Sequence, residues 1–161
     1  MRKWESLSRR KKTPRLKDFD YSNHDYVYFV TVCAMHLLEP FQNQILAHKV
    51  IDSLLFIREA KRIRLYCYCL MPDHLHLALS PSFSSGSISD VLQEFKSYTT
   101  RLGWEQGIKG KLWQRSFFDH IARKEEDLAA ICEYILANPV RRGLVEDPKE
   151  WPYSGMLDQL P

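Results

Sequence analysis

The sequence predicts an α+β fold, a single antiparallel sheet with helices on one face and a further C-terminal helix. Three observations carry this. Runs rich in β-branched and aromatic residues alternate with runs whose apolar residues recur at helical spacing. A tight turn, Met71-Pro72-Asp73, joins two of the strand-like runs. The segments follow one another in the order βαββαβ, with the extra helix at the end, which is the ferredoxin-like pattern.

Residues 26–34 (YVYFVTVCA) read as the first strand. Residues 47–61 place Val50, Ile51, Leu54, Leu55 and Arg58 at helical spacing, an amphipathic helix. Residues 64–70 alternate and form the second strand. Across the Pro-Asp turn, residues 74–80 (HLHLALS) alternate strictly and form the third. A serine-rich loop over residues 80–89 leads to a helix over 89–101, stopped by Gly103. Residues 116–123 give the fourth strand. Residues 125–138 give the last helix, acidic in its first turn and ended by Pro139. The final twenty or so residues, with Trp151, Pro152 and Tyr153, look irregular.

The chain has 161 residues, enough for about one domain, and no apolar run nears the ~20 residues of a membrane span. The start carries charge but no apolar signal-peptide core, so a cytoplasmic location is expected. Cys33, Cys67, Cys69 and Cys132 sit in strand-like or helix-like contexts and read as free buried thiols. Net charge is only +3, but residues 1–17 alone carry +7. The expected organisation is therefore a basic arm over 1–17, a domain over 18–145, and a tail over 146–161 packed on or flanking it. The arm residues Arg9, Arg10, Lys11 and Lys12 are candidate phosphate contacts.

His74 and His76 stand two apart on a strand, so both imidazoles face one way, with Ala78 next to them and Leu75, Leu77 and Leu79 on the other side. Two imidazoles on one face suit a divalent metal. Cys67 and Cys69 offer a zinc alternative with the same histidines, but Cys-x-Cys fits the usual structural spacing poorly. On the last helix, Leu128, Ile131, Cys132, Ile135 and Leu136 define the buried face. Tyr134 lies roughly 130° from its centre and about 40° from Asn138, so a phenol and an amide share a flank outside the core. Together these residues suggest phosphodiester chemistry. The Tyr134 oxygen attacks while a metal on His74, His76 and the Asn138 oxygen polarises the phosphate. Mixed imidazole and oxygen ligation favours Mg²⁺ or Mn²⁺. Tyr98 is the rival nucleophile, with no amide one turn on. His120 is left outside the catalytic set. Lys96, Arg101, Arg115, Arg141 and Arg142 are candidate DNA-phosphate contacts, and Trp113 a candidate base-stacking residue.

The run Met71-Pro72-Asp73-His74-Leu75-His76-Leu77 resembles the HUH (His, hydrophobic, His) signature of single-strand DNA transposases. The segment from Trp113 to His120, the segment from Tyr134 to Val145 with its Tyr-x₃-Asn-Pro block, and the tail Trp151-Pro152-Tyr153-Ser154 resemble one branch of them. That branch is the REP-associated tyrosine transposases and their insertion-sequence relatives, and the resemblance runs from about Phe19 to Ser154. It implies the same ferredoxin-like sheet and metal-dependent cleavage and rejoining of single-stranded DNA at hairpin ends. Tyr134 would become joined to a 5′ phosphate, with His74, His76 and Asn138 on the metal. It also implies a monomer or a homodimer and no membrane partner. The alternative is an HUH domain that binds structured DNA or RNA hairpins without cutting.

Overall fold

The computed structural model describes residues 18–122 and 127–161. In chain order the elements are β1 (Val27–Cys33), α1 (Gln44–Lys61), β2 (Arg64–Leu70), β3 (His74–Ser80), α2 (Ile88–Glu105), β4 (Phe118–Ala122), α3 (Leu128–Leu136), the short α4 (Asn138–Arg141) and β5 (Ser154–Met156). The strands form one sheet in the order β4-β1-β3-β2-β5, and every pairing is antiparallel. The first four strands and two helices are the expected βαββαβ unit.

The helix ends follow from their caps. The Asn43 side chain accepts from the Ile45 and Leu46 amides, so α1 starts earlier than its apolar spacing suggests. Ser87 and Asp90 form a reciprocal capping box that opens α2. Gly103 does not stop that helix. It is buried within it, and the chain turns out at Gly107, whose φ of +85° is open to glycine. Pro139 starts α4 as well as closing α3, because a first helical turn has no use for the amide that proline lacks.

The pleat of β3 divides the molecule. Leu75, Leu77 and Leu79 join the main core with Val30, Val32, Leu65 and Leu70, and α1 and α2 cover that face through Leu46, Val50, Leu54, Val91, Leu92 and Phe95. The opposite face holds Phe29, Cys67, Cys69 and Ala78, and α3 covers it through Ile131, Cys132 and Ile135. The two crossover helices thus share one face, as expected, and the Tyr134 helix takes the other. Strand β2 does not alternate throughout. Leu65 pairs with Leu79 and Cys67 with Ala78, leaving Tyr66 as an extra residue in a bulge. Tyr66 and Cys67 therefore both belong to the α3 face, and Tyr66 Oη donates to Ser80 Oγ at 3.1 Å.

The tail departs from the expected irregularity. Residues 154–156 pair with residues 67–69 of β2 as a fifth strand, and the Trp151 indole donates to the Leu70 carbonyl. Asp158 fastens its end, accepting from Arg58 Nη2 at 2.6 Å, Arg58 Nε at 3.0 Å and the Leu65 amide at 2.7 Å. The Arg58 hydrogen bonds, foremost among its interactions, hold the Asp158 carboxyl below its ordinary range. We expect Asp158→Ala to lower unfolding stability by about 1–3 kcal/mol in urea titrations. The wild-type advantage is full above the unfolded-state value near ~3.9. It is lost as pH falls through the lower folded value, so the two proteins converge in acid.

Candidate active site

Strand β3 projects His74 and His76 onto the α3 face. Cys33 lies directly across from His74, and Thr31 and Cys69 lie across from His76. The two Nε2 atoms are 3.0 Å apart and the rings meet edge to face. Each Nδ1 has a protein partner: Asp73 Oδ1 at 2.6 Å for His74, and Thr31 Oγ1 at 2.9 Å for His76. An ionised carboxylate only accepts, so Nδ1 of His74 carries the proton and the lone pair of the neutral ring is on Nε2. The His74 bond, followed by the nearby Arg142, holds the Asp73 carboxyl below its usual range. The 3.0 Å contact then has His76 Nε2 donating to His74 Nε2, with the Thr31 hydroxyl donating to His76 Nδ1. Because that hydroxyl can equally accept, His76 can take the other tautomer, and the two converging Nε2 atoms then fit a divalent ion. Asp73 and Thr31, the partners of the two imidazoles, are the positions that sequence reasoning passed over. Asp73 reads as turn chemistry in the sequence, and Thr31 is visible only through the strand register.

Above this face, α3 and α4 form a corner. Pro139 cannot offer an amide to the carbonyl of Ile135, four residues back. The Asn138 side chain replaces it, its Nδ2 donating to that carbonyl at 2.9 Å. Asn138 Oδ1 is thereby turned outward and accepts from Arg141 Nη2 at 2.8 Å. The guanidinium of Arg141 also lies 3.7 Å over the centroid of the half-buried Tyr134 ring. Its charge reaches Cys69, whose thiol burial pushes up to about 12 and Arg141 pulls back. The next residue, Arg142, places Nη2 3.6 Å from Asp73 Oδ1. Two consecutive arginines therefore link the phenol and amide of the corner to the carboxylate behind His74.

The other candidates separate by face. Tyr98 is on α2, beyond the sheet from the histidines, with Arg101 5.6 Å from its ring. His120 lies across from Phe29, which itself lies across from Ala78, so His120 shares the histidine face two strands away. Ala78 is fully buried, and the space it leaves belongs to the α3 packing. The zinc alternative fails. The free thiols of Cys67 and Cys132 share a hydrogen bond, and that bond, followed by burial, pushes the Cys67 thiol up. Among the described residues no group of three or more Cys, His, Asp or Glu side chains could hold a metal.

Lys96, Arg101 and Arg115 line one groove of about 840 Å³ between α2 and the 111–117 loop, on the leucine side of the sheet. Within it, Lys96 Nζ donates to the carbonyls of Gln114, Arg115 and Ser116, which uses all three of its hydrogens. Burial lowers that ammonium to about 8. Trp113 corrects an expectation. It is 2 % exposed, its indole donates to Thr99 Oγ1, and its ring packs against Phe41 and Phe95, so it closes the core and has no face for a base. Arg9, Arg10, Lys11 and Lys12 lie outside the described residues.

Asp73→Asn should weaken Mn²⁺ binding by about 10–100-fold in calorimetric titration, because it removes the carboxylate that orients His74. Prolonged dialysis against EDTA should leave the melting temperature unchanged, since the four buried cysteines are packed rather than coordinating. A drop of ten degrees or more would restore the zinc reading.

The chain resembles known proteins along most of this framework. The model of the family described as "Transposase IS200 like" matches residues 23–138, from before β1 to Asn138. A REP-associated tyrosine transposase of Escherichia coli K12 is 26% identical over 113 residues, which cover 70% of this chain and 64% of that protein. A Haemophilus influenzae protein provisionally given the same name is 32% identical over 96 residues, 53% of this chain. The match spans about half of that relative's length, 54%. A solved REP-associated tyrosine transposase, bound to a REP hairpin, superposes with a TM-score of 0.69 over 87% of this chain and 82% of its own, at 22% identity. That likeness bears on the fold, whereas the family model extends over the histidine strand and the tyrosine helix alike. On that extent, the chain belongs to the IS200-like transposase family.

Proposed function

We propose that the protein is a metal-dependent transposase or nickase of single-stranded DNA. It would cleave and rejoin strands at hairpin ends through a 5′-phosphotyrosine on Tyr134. The observation that carries this reading is the pair of Nε2 atoms 3.0 Å apart, each imidazole anchored through Nδ1, on the sheet face against which the helix that bears Tyr134 packs. Tyr98 is supported less, because the sheet stands between it and the histidines.

In this mechanism the Tyr134 oxygen attacks phosphorus and the bond to the 3′ oxygen breaks. The phenol gives up its proton and the departing 3′ oxygen gains one, leaving a free 3′ hydroxyl. Resealing runs the same exchange backwards with another 3′ hydroxyl. A divalent ion, Mg²⁺ or Mn²⁺, held by His74, His76 and Asn138, would supply Lewis-acid polarisation of the phosphate. Asp73 and Thr31 hold the imidazoles in register. Arg141 and Arg142 offer planar, permanently charged donors to phosphate at the corner. Arg101 on α2, and Arg115 on the loop that Lys96 braces, offer charge to a more distant stretch of backbone. The arm over residues 1–17 adds phosphate contacts outside the domain over 18–145. Hairpin DNA is the partner to test, since the solved relative is bound to a REP hairpin. The reading carries with it a cytoplasmic, nucleoid-associated protein acting as a monomer or homodimer.

The test is incubation of end-labelled, hairpin-ended single-stranded DNA with Mg²⁺ or Mn²⁺. Label should become covalently trapped on the protein, should vanish in Tyr134→Phe, and should persist in Tyr98→Phe. Hairpin binding with no trapped label under either metal would overturn the proposal in favour of a non-cleaving hairpin-binding domain.

A further inference from the structure

Arg141 engages two groups that the proposed chemistry needs elsewhere. Its guanidinium covers the Tyr134 ring at 3.7 Å and donates to Asn138 Oδ1 at 2.8 Å. Asn138 cannot simply swing its oxygen to another partner, because its Nδ2 is committed to the Ile135 carbonyl that Pro139 leaves without an amide. The oxygen expected to face a metal is thus directed at a bound cation, and a second cation on the same atom meets repulsion as well as competition. Arg141 is itself solvent-accessible, at the end of a four-residue helix.

We infer that Arg141 is a latch: in the DNA-free protein it holds the Asn138 oxygen and covers the Tyr134 ring, and a DNA phosphate that draws its guanidinium away releases both. The inference rests on the function proposed above. The phosphate wins the exchange because it is charged and matches the two-pronged guanidinium, whereas the amide is neutral and offers one oxygen. Arg142, 3.6 Å from Asp73, is the natural second prong for the same phosphate and reports its arrival to the His74 side. Arg141 acts here as a positioning residue, through Asn138 and Tyr134. The consequence is ordering: full metal ligation follows the arrival of DNA, so free protein has no complete cutting centre.

The test reads Mn²⁺ affinity by titration calorimetry on the full chain without DNA. Arg141→Ala should bind Mn²⁺ at least about fivefold more tightly than wild type, a modest coupling by the usual scale. The gain should disappear when Asn138→Ala is present in both proteins. Arg141→Lys, which keeps the charge but cannot hold ring and amide together, is run in the same cycle. It should show a smaller, equally Asn138-dependent gain, and it keeps the test alive if the alanine variant misfolds. An equal gain with and without Asn138 would mean simple removal of a repelling charge, and would overturn the latch. So would no gain at all. His74→Ala should abolish binding in every background. Binding indifferent to His74 would overturn the functional reading and the latch with it. In the Tyr134→Phe background, a hairpin-ended oligodeoxynucleotide should raise Mn²⁺ affinity severalfold more with Arg141 present than with Arg141→Ala. Equal increases would overturn release by DNA.

Discussion

Everything in this molecule is arranged around the two-residue period of β3. A strand sends successive side chains to opposite sides, and residues 74–80 place leucine on one side and His74, His76 and Ala78 on the other. The leucines secure the main core under α1 and α2, and so fix the strand's register between β1 and β2. With the register fixed, Thr31 must stand beside His76 and Cys69 on its other flank. Core packing thus sets the imidazole geometry, and a one-residue slip would bury the histidines among leucines.

The second half of the site depends on a missing hydrogen. Because Pro139 cannot donate, the Ile135 carbonyl takes the Asn138 side chain instead, and that bond aims the amide oxygen. The chain then turns into α4, which ends on Arg141 and Arg142 beside Tyr134 and Asp73 respectively. A proline read in the sequence as a terminator is also the reason the corner has a fixed shape. The two halves differ in character. The histidines are held by sheet and core, whereas the corner is held by a few exposed polar contacts, the usual mark of the part of a structure that opens first.

Much of the framework was legible in the sequence because its signals are local. The alternation of HLHLALS, the Met71-Pro72-Asp73 turn and the helical spacing of 47–61 each report one element, and their order reports the topology. Tyr134 and Asn138 could be set on one flank by helical geometry alone. What stayed hidden depends on neighbours remote in sequence. Thr31 gains its role from a partner 45 residues away. β5 is three residues long and exists because the edge of β2 accepts it. Trp113 looks like a surface aromatic among polar residues, and its burial comes from Phe41, Phe95 and Thr99, which the fold brings in from two other segments. Lys96 looks like a phosphate ligand until the 111–117 loop folds its carbonyls over it.

The bulge at Tyr66 bears on how such a chain can diverge. It resets the phase of β2 partway along, so that Leu65 serves the leucine core while Cys67 and Cys69 serve the α3 seat. Upstream of it, the α1–β2 connection answers only to the helical layer; downstream, parity is tied to the histidine strand. Among relatives, a gain or loss of one residue before the bulge can be absorbed there without inverting the histidine-bearing surface. The same change after it would exchange sulfur for leucine beneath the tyrosine helix, so lineages should accumulate length variation on one side of that point alone.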